Sequence, residues 1–140
     1  METILDGWPH EVTERGIKLT ACASHNLVIR LGDKWTILVL ALLSVAPGGR
    51  LRFSEIKYGV AGISQRMLTV TLRALERDGL VVRHVHPEVP PRVEYELSAI
   101  GHSMQAPMKA FAGWLGEHGP AMAQARERFD AALAASNHKP

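Results

Sequence analysis

The side chains best placed for chemistry in this sequence are hydrogen-bonding and cationic groups on one short stretch, Ser64 to Arg77. Laid on a helical wheel at about 100° per residue, Leu68, Thr71, Leu72 and Leu75 share one arc. Arg66, Val70, Arg73 and Arg77 share the opposite arc, with Gln65 and Thr69 toward its edge. Arginine can donate two parallel hydrogen bonds to guanine in the major groove of DNA, and glutamine can pair in the same way with adenine. Residues near the start of such a helix reach the bases. Gln65, Arg66 and Thr69, with Val70 and Arg73 beside them, are therefore candidate base-edge contacts, and Ser64 at the helix start joins them. Arg77 lies further along, within reach of phosphate at most. The alternative is an amphipathic surface helix whose arginines pair with Glu76 and Asp78.

A second group is His84, His86 and Arg92, set around Pro87, Pro90 and Pro91. Proline lowers the entropy lost when a loop is held along a groove. Arg92 is the candidate for a minor-groove or phosphate contact, and His86 is a candidate DNA contact beside it. His84 and His86 share a strand face, but zinc needs at least three protein ligands and no third is near in sequence, so neither metal nor cofactor is expected. No phosphate loop, nucleophile elbow or motif-flanked carboxylate pair occurs, which argues against an enzyme.

These residues need elements to hold them. A short helix is predicted from about Ala21 to Leu31, broken by Gly32. Asp33 can cap the apolar run that follows, which ends near Ala46 before Pro47. That run is apolar all round, and its length favours helix over strand. Arg52 to Tyr58 reads as a short helix with Phe53 and Ile56 inward. Gly59 and Gly62 bracket a tight turn, Ser64 is a good N-cap, and Gly79 stops the helix that ends at Asp78. Leu80–Val85 and Arg92–Leu97 read as an antiparallel hairpin. Ser98 then caps a helix running to about His118, bent at Pro107, and Gly119-Pro120 separates a last helix from about Ala121 to Ala135. Three helices followed by a hairpin is the order of a winged helix-turn-helix. The expected fold class is α+β, mostly helical, with extra terminal helices.

Charge agrees with a phosphate-facing middle. Arg50 to Arg92 holds eight basic and four acidic residues, whereas the first 17 residues hold one basic and four acidic. The longest apolar run, Trp35 to Leu43, is too short to span a membrane, and Glu2 and Asp6 do not fit a secretion signal. The single cysteine, Cys22, allows no internal disulfide and no cysteine zinc cage. A cytoplasmic, nucleoid-associated protein is expected.

The ordered motifs resemble the HxlR family of bacterial winged-helix regulators. Leu31-Gly32-Asp33-Lys34-Trp35 is similar to the family's Gly-Lys-Trp segment, and Arg52-Phe53-Ser54-Glu55-Ile56 to its Arg-Phe-x-Glu-Leu segment. Gly62-Ile63-Ser64-Gln65-Arg66-Met67-Leu68 resembles its turn and recognition-helix start, and Leu75 to Val81 the close of that helix. Pro90-Pro91-Arg92-Val93-Glu94-Tyr95 resembles its wing, and Leu97 to Gly101 the next helix start. The resemblance runs from about Cys22 to Trp114. It implies a homodimer on double-stranded DNA, dimerised by the terminal helices. Residues 1–20 would be an N-terminal arm, 21–98 the DNA-binding domain and 99–140 the dimerisation helices. The sequence supports this on its own account: Met104, Met108, Phe111 and Leu115 form a stripe spaced 4, 3 and 4, with Trp114 beside it and Met122, Phe129 and Leu133 beyond. The family commonly has a cysteine before the Gly-Lys-Trp segment, used by some members to sense oxidants or electrophiles. Cys22 stands there, followed by Ala23 where the family usually has proline. Cys22 is thus a candidate redox or ligand sensor, and an apolar cleft near Trp8, Phe111 and Trp114 a candidate site for a small-molecule effector. A winged-helix module that binds protein without sequence-specific DNA binding is the competing function.

Overall fold

The computed structural model describes residues 10–19 and 33–138. The expected Ala21–Leu31 helix, Trp8 and Cys22 lie outside the described residues. A hairpin comes first, β1 (His10–Thr13) paired antiparallel with β2 (Gly16–Leu19). Nothing in the sequence reading anticipated it.

The apolar run folds as α1 (Lys34–Ser44), with Asp33 at its N-cap in an extended conformation. Thr36, Val39, Leu40 and Leu43 are buried, and α1 packs against α2, α3, α5 and β5. A short strand, β3 (Arg50–Arg52), leads into α2 (Phe53–Gly59). Ile56 is fully buried and Phe53 packs on the edge of the core, as the periodicity predicts. The main-chain amide of Arg52 donates to Glu55 Oε1 at 3.1 Å, tying down the first turn of α2. Val60 and Ile63, both buried, anchor the turn to α3 (Gln65–Arg77). Gly62 sits between them at φ +84°, a conformation that glycine adopts without a Cβ penalty.

The wing is β4 (Val81–His86) and β5 (Arg92–Leu97), and β5 also pairs with β3, so the sheet order is β3-β5-β4, all antiparallel. Val81, Tyr95, Leu97 and Leu51 bury one face of the sheet against Leu40, Leu43, Ile56, Leu68, Leu72 and Leu75.

Ser98 caps as predicted, its hydroxyl accepting from the Gly101 amide at 3.1 Å. The helix it starts is short, however: α4 (Ala99–Ser103). A new helix, α5 (Gln105–Ser136), begins after Met104 and runs unbroken past Gly119-Pro120. The expected bend at Pro107 and the expected break at Gly119-Pro120 are both corrected. Pro107 falls in the first turn of α5, where the missing N–H has no intrahelical partner to lose. Pro120 lies inside α5, but the residue before it is glycine, so the Cβ clash that normally drives that residue out of the helical region is absent. Among the described residues no helix is long and apolar enough to cross a membrane.

Candidate nucleic-acid interface

The putting together of this surface starts at the cap of α3. The Met67 amide donates to Ser64 Oγ at 3.0 Å, so the hydroxyl satisfies one of the free donors of the first turn. Leu68, Thr71, Leu72 and Leu75 then pin one side of α3 to the core. Gln65, Arg66, Val70, Arg73 and Arg77 are exposed on the other side, as the wheel predicts. Thr69 is half-buried and its hydroxyl donates to the Gln65 carbonyl at 2.9 Å. Met67, exposed at 39%, also belongs to this surface and was not among the expected contacts.

The far end of α3 is fixed just as firmly. Gly79 takes φ +76° and donates to the Glu76 carbonyl at 3.1 Å, and Leu80 donates to the Leu75 carbonyl at 2.9 Å. Ser98 closes the junction from the other side of the wing, its hydroxyl donating to the Gly79 carbonyl at 2.5 Å and its amide to the Leu80 carbonyl at 3.0 Å. The recognition-type helix and the wing therefore leave one fixed corner.

On the outer face of the wing, charges are matched. His84 Nε2 lies 2.7 Å from Glu96 Oε1, and Arg50 Nε lies 3.1 Å from Glu96 Oε2. His86 Nε2 and Arg92 Nε share Glu94 Oε1 at 3.0 and 3.2 Å, and Arg92 Nη2 reaches Glu88 Oε1 at 3.3 Å. Neither His86 Nε2 nor Arg92 Nε meets hydrogen-bond geometry, although both are closed off from solvent. The hydrogen bond from His84 holds the Glu96 carboxyl below its usual range, assisted by Arg50 and opposed by partial burial. Arg92, expected to face DNA, thus spends its charge on carboxylates of its own wing, and His86, also expected there, stands against Glu94. Among the described residues no group of three or more His, Cys, Asp or Glu could hold a metal ion.

The opposite face of the wing differs. Arg83 stands in register with Tyr95 on the inward face of the hairpin and lines a notch with Phe53, Thr69, Arg73 and Glu76. Sequence reasoning passed over Arg83, yet a signal was present: it shares a strand face with Val81 and Val85, the face whose Val81 enters the core.

The expected dimer stripe divides in two. Met104 and Met108 are half-buried and pack on the core of their own chain. Phe111, Trp114, Leu115, Met122, Phe129 and Leu133 are all exposed, at 40–67%. Counted at about 100° per residue, these six share a single arc of about 100° along α5. They stay in phase only because the helix runs through Gly119-Pro120.

The model of the HxlR-like helix-turn-helix family matches residues 30–123. An HTH-type transcriptional regulator of Methanothermobacter thermautotrophicus is 48% identical over 93 residues, 66% of this chain and 69% of that protein. The solved structure of the transcriptional regulator ytfH from Salmonella typhimurium is 34% identical, with a TM-score of 0.68 over 76% of this chain and 92% of that one. The redox regulator HypR in its reduced form is 30% identical, with a TM-score of 0.65 over 74% of this chain and 99% of that one. These names are those of regulators, in agreement with the expectation of a protein that is not an enzyme. With two-thirds of its length matched and the helix-turn-helix and wing both formed, the chain belongs to the HxlR-like helix-turn-helix family of transcriptional regulators.

Proposed function

We propose that this protein is a homodimeric, sequence-specific DNA-binding regulator that reads a palindromic operator in the cytoplasm. The observation that carries this reading is the solvent-facing side of α3, where Gln65, Arg66, Val70 and Arg73 stand exposed on a helix whose other side is locked into the core. A helix has the width to enter the major groove, and Gln65 and Arg66, at its start, have the donor geometry to read bases. The unpartnered stripe from Phe111 to Leu133 supports a second copy of the chain as the dimer partner. Two such copies would carry their α3 helices roughly 34 Å apart, one turn of DNA.

Selection of bound sites from genomic DNA tests this directly. Two inverted half-sites are expected, with Arg66→Ala reducing discrimination at one position of each. Equal affinity for selected and scrambled duplexes at moderate salt would overturn the reading and favour a protein-binding module.

Cys22 is the proposed sensor. One line of support is the neighbour HypR, named a redox regulator and solved in both reduced and oxidised forms. A lone cysteine can cross-link only to a second copy or to a small thiol. Repeating the selection with an oxidant, and with Cys22→Ser, tests sensing separately from binding; identical operator affinity in all arms would refute it.

A further inference from the structure

Two pairs of arginines on this surface differ in their surroundings. Arg50 and Arg92 are neutralised by Glu96, Glu94 and Glu88 on the outer face of the sheet. Arg73 and Arg83 have no ion-pair partner among the described residues, and both line the same notch of about 240 Å³ between α3 and the root of the wing. Phe53, Thr69 and the buried Tyr95 line the notch with them. Its walls come from two elements whose relation is fixed by the Leu75–Leu80 and Leu80–Ser98 hydrogen bonds, so the two guanidinium groups approach from fixed backbones. Glu76 is the third charged group lining it. Two arginines and one glutamate leave a net charge of +1, the complement of one phosphodiester.

We propose that this notch seats a single backbone phosphate of bound DNA, shared by Arg73 and Arg83. This rests on the DNA-binding reading and deepens it. Guanidinium groups suit phosphate because they offer paired N–H donors in a fixed plane. Arg73 then fixes the register of α3 and does not read a base, which moves it out of the set with Gln65 and Arg66. The wing's phosphate contact is Arg83, at its root. Arg92, near the tip, keeps the tip in shape through Glu88 and Glu94. Arg83 is thus a positioning residue, and base specificity stays with the first turn of α3.

The test measures binding of the full chain to a selected and a scrambled duplex across a salt series. Arg83→Gln and Arg73→Gln are each expected to lower affinity about tenfold per half-site, the size of one hydrogen bond to a charged group, and equally on both duplexes. Arg83→Lys should recover most of the affinity lost by Arg83→Gln, because it restores the charge. Each neutralised phosphate contributes about 0.9 to the slope of log affinity against log salt. One shared phosphate per subunit predicts that the double variant, a dimer on two half-sites, loses about 1.8 of slope in total. A loss of about 3.6 would mean two separate phosphates per subunit and would overturn the shared seat. So would an unchanged slope and affinity in Arg83→Gln, or a loss in Arg73→Gln confined to the selected duplex. If the unsubstituted protein binds no duplex, the DNA-binding reading itself fails, and the seat fails with it. Arg73 and Arg83 are exposed, so a thermal melt should match the unsubstituted chain and separate folding from binding.

Discussion

Replacing Gly101 by alanine should destabilise this protein sharply, against what helix propensity alone would give. Gly101 is buried in α4, where the chain leaves the wing and crosses back over Leu80. A Cβ added there would stand 2.1 Å from the Leu80 carbonyl oxygen and 3.2 Å from Leu97 Cδ2. Relief to about 3.3 Å, the near limit of ordinary C···O contact, needs a displacement of about 1.2 Å. The Leu80 oxygen cannot move freely, because it accepts from the Ser98 amide at 3.0 Å. Losing that bond in a buried site costs about 1–3 kcal/mol, and overpacking costs a further ~1–3 kcal/mol. The gain of alanine over glycine in a helix returns only about 1 kcal/mol. The net loss is about 3 kcal/mol, a fall in Tm of roughly 10 °C for a chain of this size. Gly113→Ala is the matched control. Its Cβ would meet nothing within 4 Å, and it lies on the side of α5 away from the Phe111–Leu133 stripe. There the propensity term acts alone and Tm should rise by a few degrees. Thermal melts of both variants decide the matter: a Gly101→Ala protein as stable as the parent, or more stable, would refute the packing described at Leu80.

Three further outcomes are expected. Ser64→Ala removes the acceptor for the Met67 amide and should cost about 1 kcal/mol in chemical denaturation, with a loss of DNA affinity that follows from fraying of the first turn of α3. Phe129→Asp should leave the melt of the individual chain nearly unchanged, since Phe129 is 67% exposed, but should halve the mass seen in sedimentation if α5 is the dimer seam. Glu96 has its carboxyl held below the ordinary value of 4.5, so the stability it contributes is fully present above that pH and is lost as pH falls through its folded value. The Tm difference between the parent and Glu96→Gln should therefore be largest near neutrality and close below pH 4.5; a gap that stays constant with pH would rule out this role.

The local punctuation of the helix-turn-helix was legible in the sequence because it is local chemistry. Ser64, Gly62 and Gly79 act on amides and carbonyls within a few residues, and the α3 wheel separates core from surface by residue type alone. Some of what escaped depended on distant partners. β3 is three residues long and exists because Arg50, Leu51 and Arg52 pair with Glu96, Tyr95 and Glu94, more than forty positions away. The outer-face ion pairs escaped for a different reason: Glu88 and Glu94 are near His86 and Arg92 in sequence, but only the hairpin register shows that these side chains share one face. Gly119-Pro120 misled in the other direction, since two residues that usually end a helix are tolerated together when the first lacks a Cβ.

The in-phase stripe on α5 bears on how DNA reading and dimerisation are joined. Met104 and Met108 hold the start of α5 on the core, while every large apolar side chain from Phe111 onward is exposed. The helix thus has a docked root and a free shaft, and the shaft's apolar arc points one way along its length. The root follows α4 after one residue, Met104, and α4 is pinned to Leu80 through Ser98 and Gly101. Leu80 in turn donates to Leu75, at the end of α3. Only hydrogen-bonded turns and close backbone contacts lie on that path, with no long loop in it. In a dimer built on the stripe, the separation of the two α3 helices is set by the angle at which α5 leaves the core. Gly101 lies at this junction, where an added Cβ would collide with the Leu80 carbonyl and shift the exit of α5. Gly101→Ala should accordingly weaken binding to a two-half-site operator more than to a single half-site, and equal losses on both would break this link between the junction and half-site spacing.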